Sequence, residues 1–158
     1  MKYVRVEFTR DGTFSDPAAY LAQLPSLATS LPAGARAFAT DPEHYNFWGK
    51  RCIKDLKPQH LTFGEANGIP WAELHLKHNC WKHEDDLTIR YTGVQDVAMD
   101  PPGEVSEVAD LGGVMLDEIL PVEHGCTHEF TCLSGSLIIT CEDLVVTWTD
   151  SNCPERNP

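Results

Sequence analysis

Between residues 56 and 149, apolar and polar side chains alternate in a series of strand-length runs, and most runs end on a turn-forming pair. A period of two is the repeat of a β-strand with one buried face, and it cannot form the apolar stripe of a helix. Leu87, Ile89 and Tyr91 alternate with Thr88, Arg90 and Thr92. Further strands are predicted over 56–63, 69–78, 94–99, 114–122, 130–133, 136–141 and 144–149. Asn67-Gly68 predicts a hairpin turn, because both residues tolerate positive φ. Ser134-Gly135 predicts a second one. Asp100-Pro101-Pro102-Gly103 breaks the series, and the acidic stretch to Asp110 reads as a surface loop with a short element.

The first 49 residues read differently. Val4, Val6 and Phe8 alternate with Arg5, Glu7 and Thr9, which predicts a strand over 2–9 whose apolar face joins the same sheet as the later strands. Asp11-Gly12 turns the chain. Ser15-Asp16-Pro17 marks a helix start, with Pro17 in the first turn where its missing N–H costs nothing. A short helix over 18–24 follows, and Pro25 and Pro32 turn 25–34 into broken turns. Residues 35–49 have no clean period, though Phe38, Tyr45, Phe47 and Trp48 are large enough to anchor them on a core. Eight or nine strands plus this helical region predict an α+β fold, mainly antiparallel, with a strongly curved or two-layered sheet.

With 158 residues, the chain is expected to form one domain over 1–150, followed by a tail over 151–158 that frays. No apolar run is long enough to span a bilayer, and the first ten residues alternate where a signal peptide carries a continuous apolar block. A cytoplasmic protein is expected. The formal net charge is -12. Residues 1–83 carry ten Lys or Arg against eight Asp or Glu, whereas residues 84–158 carry only Arg90 and Arg156 against 16 acids. Nucleic acid and anionic membrane surfaces both require cationic patches, so neither is expected as a partner. A cationic partner fits better, since opposite charge accelerates encounter.

The six cysteines are expected to be reduced thiols, because a chain of this size builds its own core and no signal peptide points to an oxidising compartment. The most metal-like run is His75, His78, Cys80 and His83, with imidazole and thiol ligands that zinc accepts. On an extended strand, however, His75 and His78 point to opposite faces, so no structural zinc and no cofactor is expected. A second cluster, His124, Cys126 and His128, lies between two strands and could complete a site with the first. Phosphate-binding loops, G-x-S-x-G and H-E-x-x-H are absent from the sequence, and no catalytic residue is assigned. Trp71, Trp81 and Trp148 fall in or beside strands and read as core or rim.

Several segments taken in order carry a resemblance. They are Cys52-Ile53-Lys54-Asp55-Leu56, a hairpin ending over 72–78, the stretch 86–94 leading into Val97-Ala98-Met99-Asp100, Leu116-Asp117-Glu118-Ile119, and two closing strands over 136–148. Over residues 50–149 the order resembles small bacterial proteins that include immunity proteins of polymorphic toxin systems. The resemblance implies a non-enzymatic cytosolic antidote that binds and blocks a cognate toxin domain. With the charge asymmetry, the expected contact surface is Trp81, Glu84, Asp85, Asp86, Asp100, Glu104, Glu107 and Asp110, facing a basic toxin surface. Two alternatives stand beside it. One is a small zinc enzyme using His75, His78, Cys80 or His83 with His124, Cys126 or His128; the other is an interaction module unrelated to toxins.

Overall fold

The structure is a computed structural model and describes residues 1–102 and 105–155. The alternating runs become strands β3 (Lys57–Ala66), β4 (Ile69–Lys77), β5 (Asp85–Thr92), β6 (Asp96–Asp100), β7 (Val114–Val122), β8 (Gly125–Cys132), β9 (Gly135–Cys141) and β10 (Asp143–Asp150). Before them lie β1 (Arg5–Thr9), β2 (Gly12–Asp16), α1 (Ala18–Ala28) and α2 (Ala33–Ala39). A short 3-10 helix over Val105–Leu111 fills the acidic stretch after β6. Two four-stranded antiparallel sheets result, ordered β10-β5-β4-β3 and β6-β9-β8-β7. The α+β class and antiparallel character follow from the sequence pattern. Asn67 and Gly68 turn β3 into β4 with φ of 53° and 78°, as the dipeptide predicts.

Both sheets contribute to one buried cluster. Leu74, Leu76, Leu87 and Ile89 come from the first sheet, and Leu116, Ile119, Phe130 and Ile139 from the second. β7 is buried at six consecutive positions, so both of its faces are covered. Tyr20 of α1 donates its hydroxyl hydrogen to the Ile119 carbonyl at 2.7 Å, which lays that helix against β7.

Four expectations are corrected. The strand carrying Val6 and Phe8 does not enter either large sheet. β1 pairs with β2 alone, because only Val4 of this segment is buried while Phe8 is 53% exposed. The first helix runs through Pro25 to Ala28, since the proline removes one N–H but the buried Tyr20 and Leu24 still fix its face. Within 35–49 a second helix forms, with Ala35, Phe38 and Ala39 buried at helical spacing. The N–H groups of Gly34 and Ala35 donate to the Asp143 carboxylate at 3.1 and 2.9 Å, so a residue distant in sequence caps α2.

Finally, the cysteines are not all thiols. Cys80 and Cys153 form a disulfide, with Cα atoms 6.1 Å apart. Pairing β10 with β5 sets Asp150 opposite Asp85, and the Ser151 N–H and hydroxyl both donate to the Glu84 carbonyl. The chain after β10 is thereby led past the turn that holds Cys80, and Cys153 is buried. Cys52, Cys126, Cys132 and Cys141 remain free and buried.

Candidate functional site

Three constellations carry chemistry-bearing side chains, and only two of them reach the surface. The buried one centres on Asp117. Because successive strand residues face opposite ways, Asp117 points into the core and its neighbour Glu118 points to the other covered face. Asp117 receives His44 Nε2 at 2.8 Å and His128 Nε2 at 2.7 Å. His128 Nδ1 meets the Tyr91 hydroxyl at 2.9 Å, and His44 Nδ1 meets the Phe38 carbonyl at 2.9 Å. Partner logic fixes the protons. His128 donates from Nε2 and accepts the Tyr91 hydroxyl hydrogen on Nδ1, whereas the two nitrogens of His44 face the Phe38 carbonyl and the Asp117 carboxylate. All four side chains are shut off from solvent. A carboxylate, two imidazoles and a phenol would suit proton transfer at a cleft, but here no substrate atom can approach them.

Burial by itself raises the Asp117 carboxyl, yet His44 and His128 outweigh it and hold the group well below the usual carboxylate range. His128 is pushed down by burial, partly opposed by Asp117. His83 is also pushed down by burial; its Nδ1 accepts the Asn79 N–H and its Nε2 donates to the Cys52 carbonyl. The sign of the pH dependence follows. Below about pH 6.5 the unfolded histidines take up protons that native His83 and His128 refuse, so the unfolded state binds more and stability falls with pH. Asp117 adds a second loss below about pH 4, where the unfolded carboxyl protonates first. Urea unfolding followed from pH 8 to pH 3 should show a midpoint that declines monotonically below about pH 6.5.

The second constellation surrounds the disulfide. β4 ends at Lys77, so His78 is free of the strand's alternation, and Asp86 of β5 receives it. The His78 N–H donates to Asp86 Oδ1 at 2.8 Å, and His78 Nδ1 lies 2.6 Å from that same oxygen. His78 Nε2 then lies 3.1 Å from Cys80 Sγ. His75 Nε2 is 3.7 Å from Asp86 Oδ2, and its ring stacks on His60. Beside the group opens a recess of about 310 Å³ lined by Lys57, Gln59, Lys77, His78, Cys80 and Glu155.

The third is a surface. Lys82 Nζ donates to the Phe47 carbonyl, Lys50 pairs with Glu84, and Arg51 pairs with Asp85 at 3.1 Å, so residues 47–51 run alongside 81–85. Trp48 and Trp81 flank this seam at 88% and 66% exposure. Lys82 also lies over the Trp81 ring.

The anticipated contact residues therefore divide. Trp81, Glu84, Asp85 and Asp86 lie together, but the three acids are engaged by Lys50, Arg51 and His78. Asp100, Glu107 and Asp110 are exposed on and after β6, and Glu104 falls outside the described residues. The suggested ligand set scatters as well. His83 is buried against Cys52, His124 is exposed at the turn between β7 and β8, and Cys126 faces Cys141 with sulfurs 3.7 Å apart. His128 serves Asp117. Among the described residues His78 and Cys80 stay within ligand range of each other and are joined by Cys153, which sequence spacing did not single out, while His75 reaches the same Asp86 carboxylate as His78. His44 was likewise missed; the signal pointing to a partner for it was the acidic pair Asp117-Glu118 inside an otherwise apolar strand.

No family model, curated protein or solved structure matches this chain. No helix among the described residues is long and apolar enough to cross a membrane.

Proposed function

We propose that the protein is a non-enzymatic binding protein whose partner is a protein domain with a basic surface, in the role of a cytoplasmic antidote to a toxin. The exposure of Trp48 and Trp81 on two cross-linked segments carries this reading. Large exposed indoles are costly to leave in water, and at interfaces Trp is enriched among the residues that dominate binding energy. The ion pairs Lys50–Glu84 and Arg51–Asp85 edge the indoles with polar groups, as a rim edges an interface core. The attraction for a cationic partner comes from the net charge of -12 as a whole, acting at long range. The two four-stranded sheets, read as layers over the shared core, supply the rigid support. The closure of the Asp117 network to solvent favours binding over catalysis.

The test produces this chain together with a growth-inhibiting basic domain from a neighbouring gene, in the same cells. Co-expression is expected to restore growth, association is expected to slow as salt rises, and Trp81→Ala is expected to weaken the complex by about 2 kcal/mol or more, roughly 30-fold. Absence of rescue, or rate constants indifferent to salt, to Trp48→Ala and to Trp81→Ala alike, would overturn the reading.

A further inference from the structure

We propose that His78 Nε2, Cys80 Sγ and Cys153 Sγ form a zinc site when the disulfide is reduced, with Asp86 orienting the imidazole, so that disulfide and metal are alternative states of one site. The three ligand atoms already lie within 4.8 Å of one another. Tetrahedral zinc with Zn–S near 2.3 Å and Zn–N near 2.05 Å sets nitrogen and sulfur roughly 3.6 Å apart and two sulfurs roughly 3.8 Å apart. His78 Nε2 stands 3.1 Å from Cys80 Sγ, so the nitrogen needs only a small retreat. The sulfurs must part further. Both cysteines lie outside the sheet ladders, Cys80 in the turn after β4 and Cys153 beyond β10, so no strand pairing resists the movement.

The imidazole is prepared for the metal. With Nδ1–H donating to Asp86 Oδ1 at 2.6 Å, the neutral ring carries its lone pair on Nε2, the atom aimed at the sulfurs. A carboxylate behind a ligating histidine fixes the tautomer and raises the basicity of the ligand nitrogen. Asp86 is itself held by the His78 N–H, which closes a rigid two-point contact. The opposite-face argument against His75 and His78 does not reach this site. His78 lies past the end of β4, and the second thiolate comes from Cys153 rather than from the local run. The fourth position falls to water from the adjoining recess.

The interconversion balances. The Cys80–Cys153 bond accepts two electrons and two protons from a dithiol reductant, which leaves as its own disulfide. Zn²⁺ then displaces the two thiol protons to solvent. In a reducing compartment the dithiol is the resting form, and the metal site is the state available to the chain. None of this depends on the Trp48 and Trp81 surface, and the test below does not involve the partner.

The experiment titrates Co²⁺, and then Zn²⁺ in competition, into the full chain held either oxidised or reduced by a phosphine. One Co²⁺ per reduced chain is expected, with the thiolate-to-metal charge-transfer band of a tetrahedral sulfur site, and none in the oxidised chain. Cys153→Ser should remove the band, and Asp86→Asn should keep it while weakening Zn²⁺ binding 10- to 100-fold. A reduced chain without the band would overturn the proposal, as would a band that survives Cys153→Ser and disappears in Cys126→Ser. Should Cys153→Ser fail to fold, alkylation of the wild-type chain decides the question. Zn²⁺ must protect Cys80 and Cys153 of the reduced protein from iodoacetamide, and equal labelling with and without metal refutes the site.

Discussion

Replacing Asp117 by alanine is expected to cost about 3 to 5 kcal/mol of unfolding free energy, the range seen when one partner of a buried ion pair is removed. Among the described residues the carboxylate is the one charged group that meets the His44 ring, whose other nitrogen faces the Phe38 carbonyl. Without Asp117, His44 Nε2 loses its partner in the core and leaves a lone pair or an N–H facing its buried surroundings. His128 loses the acceptor of its Nε2–H at the same time, and the Tyr91 hydroxyl stays attached to a ring that nothing orients. These losses fall inside the cluster shared by both sheets, so the damage is global. Urea denaturation should show a lower midpoint with an unchanged slope, and the slowest-exchanging amides of β5 and β8 should accelerate together. A loss under about 1 kcal/mol would mean that the two imidazoles find other partners and that this carboxylate does not hold the network.

Local patterns in the sequence revealed the strands, and the physical reason is that alternation is imposed by half-burial of each strand on its own. Sheet order is not a local property. The β3–β4 hairpin follows from Asn67-Gly68, but nothing near Leu144 or Val146 says that β10 will lie against β5 rather than beside β9. That one long-range pairing determines the chemistry of the surface, because it carries Cys153 to Cys80 and thereby converts a His-x-Cys fragment into a three-ligand group. The alternation rule sets His75 and His78 on opposite faces, and it loses authority at Lys77, where the strand stops: Asp86 takes hold of His78 through Oδ1 and lies 3.7 Å from His75 through Oδ2, so both imidazoles meet one carboxylate. The acidic run at 84–86 shows the same limit from another side. As sequence it is a block of negative charge, whereas in the fold each member has a basic partner supplied by residues 50, 51 and 78. For α2, small residues such as Ala33, Gly34 and Ala37 blurred the helical spacing, and its cap, Asp143, lies over a hundred residues away.

Glu118→Ala, one residue from the first substitution, is expected to act in the opposite manner: a large local effect and a small global one. Glu118 lies on the other face of β7, where its two oxygens accept the N–H groups of Lys2, Tyr3 and Val4 at 2.6, 2.6 and 2.7 Å. Hydrogen bonds to a charged acceptor contribute about 1.5 to 3 kcal/mol each, and three of them anchor a segment otherwise held by the buried Met1 and Val4 side chains and by the Met1 ammonium on Glu129 at 2.9 Å. The β1–β2 hairpin has no ladder bonds to either four-stranded sheet, so nothing else in the strand pairing holds it. A two-stranded hairpin is marginal by itself in water. Removing the carboxylate also relieves a like charge, because Glu118 sits directly opposite Glu129 in the β7–β8 register, and that returns about 0.2 to 1 kcal/mol. The segment can then detach and hydrate its N–H groups, which caps the global penalty well below the sum of the three bonds. Hydrogen exchange should record the difference: amides of β1 and β2 accelerate about 100-fold, equivalent to about 2.7 kcal/mol, while those of β8 and β9 keep their wild-type rates. If exchange in the hairpin is unchanged while the whole molecule is destabilised, the hairpin is held by contacts other than this carboxylate, and Glu118 belongs with Asp117 as a core residue.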